Sequence, residues 1–81
     1  MTRDEIFSAL SDALQEMFEV PAEKIAESAL LYQDLDLDSI DAIDLVVKLQ
    51  ELTGRKIKPE QFKAVRTVGD VVDHVQALLQ E

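Results

Sequence analysis

Residues 34–45 read DLDLDSIDAIDL, with five aspartates gathered around one serine. Three chemistries use such a set. Carboxylates at alternate positions, Asp34, Asp36 and Asp38, suit a hard cation such as calcium. Counted from Asp34, however, a calcium loop needs glycine where Ser39 stands and a bidentate glutamate where Leu45 stands. An EF-hand is not expected, and only loose association with divalent ions is left. Nucleophilic catalysis by Ser39 would need a general base and an oxyanion site. The chain has no G-x-S-x-G elbow, and its one histidine, His74, falls at the border of the last helix's apolar face. A partly packed side chain with its tip in solvent is expected there. Paired carboxylates could do acid–base work, but so small a chain offers little volume for a water-excluding cleft. Catalysis by this chain alone is not expected.

The third chemistry is covalent modification. Ser39 or Asp38 can cap a helix that starts here, and capping alone would explain one of them. It does not explain an exposed hydroxyl that ends an acidic loop and opens a helix with a second apolar strip. A helix start offers unpaired N–H groups and positive potential, so a phosphate attached at Ser39 would be well placed.

The bulk properties fit a small helical protein with a basic partner. Eighty-one residues make one domain, residues 1–81, with a single small core. Two glycines, two prolines and 47% hydrophobic residues point to a compact helical protein. Without cysteine there is no disulfide, thiolate nucleophile or thiolate metal site. Seventeen acids against eight bases give a net charge of −9, so nucleic acid and anionic membrane are unfavoured and a basic protein surface is the expected partner. No apolar run approaches the ~20 residues needed to span a bilayer, so no membrane insertion and a cytoplasmic location are expected. The charge is uneven: Ile25 to Val47 holds six acids and no base, whereas Lys48, Arg55, Lys56 and Lys58 follow.

These residues must be positioned by helices. Thr2 with Glu5 forms a capping-box pattern, and Ile6, Phe7, Leu10, Ala13, Leu14, Met17 and Phe18 share one face of a helix that ends before Pro21. Residues 19–38 form a long connection anchored by Val20, Ile25, Leu30, Leu31, Tyr32 and Leu35, with a short turn at PAEKI. A second helix runs from about Ser39 to Thr53 and stops at Gly54. Its apolar residues divide into two groups: Ala42, Leu45, Leu49 and Leu52 face a core, while Ile40, Ile43 and Val47 flank a charged stripe of Asp41, Asp44, Lys48 and Glu51. The second group reads as a docking strip; alternatively, Ile43, with Val46, packs on a neighbouring helix. Pro59 opens a short helix with Phe62 and Val65. Thr67 caps a last one, with Asp70 three residues on and Val71, Val72, Val75, Leu78 and Leu79 on one face. The fold class is all-α, a small four-helix bundle with a long first loop and a short third helix.

DLDLDSID before the second helix, KIKPEQF before the third and TVGDVVDHV opening the fourth resemble the acyl carrier protein family over essentially the whole chain. Asp38-Ser39-Ile40 is similar to the family's Asp-Ser-Leu signature. The resemblance implies that Ser39 carries 4′-phosphopantetheine through a phosphodiester, the arm's thiol supplying the sulfur this chain lacks. It implies that Asp38, Ile40, Asp41, Asp44, Val47 and Glu51 form a docking surface, and that Leu45, Leu49, Phe62, Val65 and Val71 wall a pocket for the acyl chain. It further implies a monomer served by a phosphopantetheinyl transferase and by ketosynthase, ketoreductase, dehydratase and acyltransferase partners with basic patches.

Two departures stand out. Many family members have glycine where this chain has Asp36, so a stiffer or differently turned loop is expected. Acids often persist beyond the second helix, whereas here a basic rim follows. The rim favours a dedicated enzyme set, and the chain resembles free-standing bacterial carriers of aryl-polyene or related polyketide-like pathways. The alternatives are a peptidyl or aminoacyl carrier and an unmodified acidic adaptor.

Overall fold

A computed structural model describes residues 2–80. Three α-helices form the frame: α1 (Arg3–Phe18), α2 (Ser39–Thr53) and α3 (Val68–Leu79). Each starts at a reciprocal capping box, Thr2 with Glu5, Asp38 with Asp41 and Thr67 with Asp70, so the chain's own polar side chains satisfy part of every helix start. The third helical segment, Pro59–Ala64, is 3₁₀ rather than α. Six residues opening with proline are too few to repay α nucleation, and short pieces commonly settle for the tighter turn. A shorter 3₁₀ turn, Ala22–Lys24, follows Pro21.

α1 packs against both α3 and α2, and α2 against the Pro59–Ala64 segment. One apolar cluster joins all of them, with Leu10 and Leu14 of α1, Leu45, Val46 and Leu49 of α2, and Val68, Val71, Val72 and Val75 of α3 at its centre. On α2 the buried arc runs from Leu45 through Leu49 to Val46, rotated towards the 3₁₀ segment. Leu52 therefore sits at the edge and is exposed, although the apolar pattern groups it with Leu45 and Leu49. Gly54 ends α2 at φ 68°, the left-handed region where glycine costs least.

The connection over residues 19–38 is ordered from both sides. Val20, Ile25, Ala29, Leu31, Leu35 and Leu37 are buried. Its backbone is also joined to the start of α3: Leu31 N–H donates to the Arg66 carbonyl at 2.9 Å, Val68 N–H to Ala29 at 3.0 Å and Gly69 N–H to Glu27 at 2.8 Å. Arg3 adds ion pairs to Glu27 and Asp73, tying α1, the loop and α3 together at the surface. Of the expected anchors, Leu30 is half-buried and Tyr32 lies exposed.

Candidate functional site

The acidic stretch has three separate structural uses. Asp34 holds the loop, its carboxylate accepting from Leu30 N–H at 2.8 Å while its own N–H donates to the Leu30 carbonyl at 2.9 Å. Asp36 takes φ 57°. It adopts the left-handed conformation that glycine favours, which aspartate tolerates better than most residues. Asp38 and Asp41 cap α2 reciprocally: Asp41 N–H donates to Asp38 Oδ1 at 2.8 Å and Asp38 N–H to Asp41 Oδ2 at 3.2 Å. Asp44 belongs to none of these and is exposed one turn further along α2.

Because Asp38 is the cap, Ser39 becomes the first helical residue. Its side chain is exposed, and the cap does not use its hydroxyl. The N–H groups of Ser39 and Ile40 fall in the first turn, where no intrahelical acceptor exists, and the box takes only that of Asp41. A phosphate ester on Ser39 Oγ would therefore meet unpaired donors at the positive end of a helix and no obstruction from the cap.

Beside Ser39 opens a mostly apolar cavity of about 220 Å³, lined by Tyr32, Ser39, Ala42, Ile43, Val46, Glu60 and Phe62. Among the five residues named from sequence as pocket walls, Phe62 lines this cavity. Leu45, Leu49, Val65 and Val71 are instead buried in the bundle's core. Sequence reasoning missed Tyr32, Ala42, Ile43, Val46 and Glu60. A signal was available for three of them: Ala42, Ile43 and Val46 stand three, four and seven residues after Ser39, which places them on its helix face.

The named docking residues lie along the exposed side of α2, with Asp41 partly covered. Ile40 is 68% exposed, and Ile43 and Val47 are each about half exposed, so an apolar strip faces solvent beside Asp44 and Glu51. On α3, the histidine differs from expectation. His74 Nε2 is shielded from solvent without a hydrogen-bond partner, and the Phe62 ring meets the imidazole nearly edge-on, with centroids 5.6 Å apart. The side chain is half-buried, and this nitrogen is on its shielded part.

Among the described residues no helix is long and apolar enough to cross a membrane, and no group of three acidic or histidine side chains could hold a metal ion.

Comparison with known proteins bears directly on this site. The family described as "Phosphopantetheine attachment site" matches residues 8–75. Acyl carrier protein 2 of Ralstonia nicotianae is 54% identical over 79 residues, covering 98% of both chains. The acyl carrier protein of Lactobacillus acidophilus is 32% identical over 77 residues, covering 95% of this chain and 96% of the relative. Among solved structures, the acyl carrier protein of Thermotoga maritima superposes with a TM-score of 0.83 at 27% identity, covering 96% of this chain and 91% of that one. The fold is the all-α fold of these carriers, whose members are loaded by a phosphopantetheinyl transferase and serve biosynthetic enzymes without being catalysts themselves. With a phosphopantetheine attachment domain across most of its length and full-length carrier relatives, the chain belongs to the acyl carrier protein family.

Proposed function

We propose that Ser39 is the attachment residue, esterified through Oγ to 4′-phosphopantetheine from coenzyme A. The observation that carries this reading is the position of Ser39: first in α2, exposed, outside the cap and lining the apolar cavity. When bound, the arm supplies a thiol that holds an acyl group as a thioester. The chain's own residues do the rest. The start of α2 offers N–H donors to the phosphate, Asp38 and Asp41 fix that start, and the cavity shelters apolar atoms of the cargo from water.

Asp38, Ile40, Asp41, Asp44, Val47 and Glu51 form the docking face in this reading. Exposed charge pairs contribute only ~0–1 kcal/mol each, so they orient a basic partner and release it quickly. Lys48 within α2 and Arg55, Lys56 and Lys58 after it leave the acidic surface concentrated near Ser39, with Glu51 alone further along the helix. That asymmetry supports a carrier serving a dedicated fatty-acid or polyketide-like pathway, the aryl-polyene type included, and in this reading it acts as a cytoplasmic monomer. Its partners would be ketosynthase, ketoreductase, dehydratase and acyltransferase enzymes.

Intact-mass measurement after incubation with coenzyme A and a broad-specificity phosphopantetheinyl transferase tests the assignment. The protein should gain one phosphopantetheine, and Ser39→Ala should gain none. A folded protein that stays unmodified with several transferases would instead be an acidic adaptor with a docking helix.

A further inference from the structure

The cavity beside Ser39 has a definite inner end. Tyr32, Ser39, Ile43 and Glu60 are exposed and form its mouth, whereas Val46 and Phe62 are buried and close it from within. Val46 is fixed to the middle of α2. Phe62 belongs to a six-residue 3₁₀ segment, and its ring both lines the cavity and meets the imidazole of α3, which does not line it, at an interplanar angle of 83°. Behind it lies His74 Nε2, a shielded nitrogen with no partner. Burial without a hydrogen bond is unfavourable, so this part of the interior is held closed by the aromatic ring and not by a polar network of its own.

Size then limits the occupant. A protein cavity of about 150 Å³ accommodates a benzene molecule. The 220 Å³ here therefore takes that much and a little more. We infer that Phe62, backed by His74, is the residue that sets the length of acyl group this carrier can shelter, and that the cavity takes short acyl groups of roughly six to eight carbons. The inference rests on attachment at Ser39 and adds a size class and a specificity-determining residue to it. Long saturated chains do not fit behind the mouth without displacing Phe62. Removing the ring joins the cavity to the space in front of His74.

The test uses acyl-coenzyme A donors from four to fourteen carbons, each loaded by the transferase and verified by intact mass. Thermal unfolding is then followed by circular dichroism. Each carbon that enters the cavity should raise Tm by up to about 3–6 °C. In the native protein the rise should stop near eight carbons. In Phe62→Ala, and in the milder Phe62→Leu should the former fail to fold, it should continue to longer chains. A second readout needs no variant: the imidazole NMR signals of His74 should stay unmoved by any chain in the native protein. In the Phe62 variants they should shift with the longer chains. A Tm that climbs steadily through twelve carbons in the native protein, or a stop at the same length in a folded Phe62 variant, overturns the inference. Absence of any mass gain is a different failure, since it overturns attachment at Ser39 and this inference with it.

Discussion

Asp38 and Thr67 cap α2 and α3 in the same way, each reciprocated by an aspartate three residues on. Around Thr67 the next two residues, Val68 and Gly69, are buried, and the loop at residues 27–31 is hydrogen-bonded to the helix start. Around Asp38 the next two, Ser39 and Ile40, are exposed, and among the described residues no loop backbone is hydrogen-bonded to them. One helix start has become a structural joint and the other an open site. The capping box fixes where a helix begins. What packs over its first turn decides what that beginning is for.

Substitution at the second or first helical position of each start separates the two roles most sharply. Ser39→Ala should abolish modification and leave thermal stability almost unchanged, because alanine is a good helix former and no packing is lost. Gly69→Val should do the reverse. A Cβ at residue 69 would lie 3.0 Å from the Glu27 carbonyl oxygen, within the contact that joins α3 to the loop. Overpacking of this kind costs about 1–3 kcal/mol, or very roughly 5–20 °C in Tm for a domain this size. Modification of the fraction that stays folded should continue at the native rate. Thermal unfolding and mass spectrometry on the same two variants check both halves.

The caps give a smaller, graded contrast. Thr67→Ala should cost about 1 kcal/mol in urea unfolding. Asp38→Ala loses a similar hydrogen bond, but it also relieves repulsion among crowded carboxylates, so its net cost should be smaller. Acid acts on the cap of α3. The backbone N–H groups of Arg66 and Thr67 hold the Asp70 carboxyl below the usual aspartate range. A depressed folded-state pKa contributes stability that is present above the unfolded value and is lost as pH falls through the folded one. The stability gap between the native protein and Asp70→Asn, measured at pH 6, should therefore shrink below about pH 4.

Much of this was legible in the sequence because the deciding interactions are local. Three capping boxes, the Gly54 stop and the apolar faces of α1 and α3 follow from residue types at fixed spacing. The position of Ser39 at the start of α2 follows from the same rules. Legibility ended where two segments distant in sequence meet. Phe62 and His74 touch through packing of the 3₁₀ segment on α3, and no periodicity within either segment shows which ring atom ends up covered. The family resemblance implies Leu45 and Leu49 as pocket walls, yet the cavity follows the helix face of Ser39 itself. Asp36 teaches the opposite lesson, since an aspartate holds the left-handed backbone that favours glycine.

Charge reversal on the open helix start should give the smallest effect. Asp44 is the informative position because it is exposed and outside the capping box, whereas reversing Asp41 would disturb the helix start and docking together. Asp44→Lys should slow loading by the transferase about two- to fivefold at low salt, the scale of one exposed ion pair. At 1 M salt, where screening acts over about 3 Å, native and variant rates should converge. A slowing that persists at high salt would mean the side chain acts by contact or shape. Equal rates at both salt concentrations would move the electrostatic part of docking away from the middle of α2 and onto its first turn.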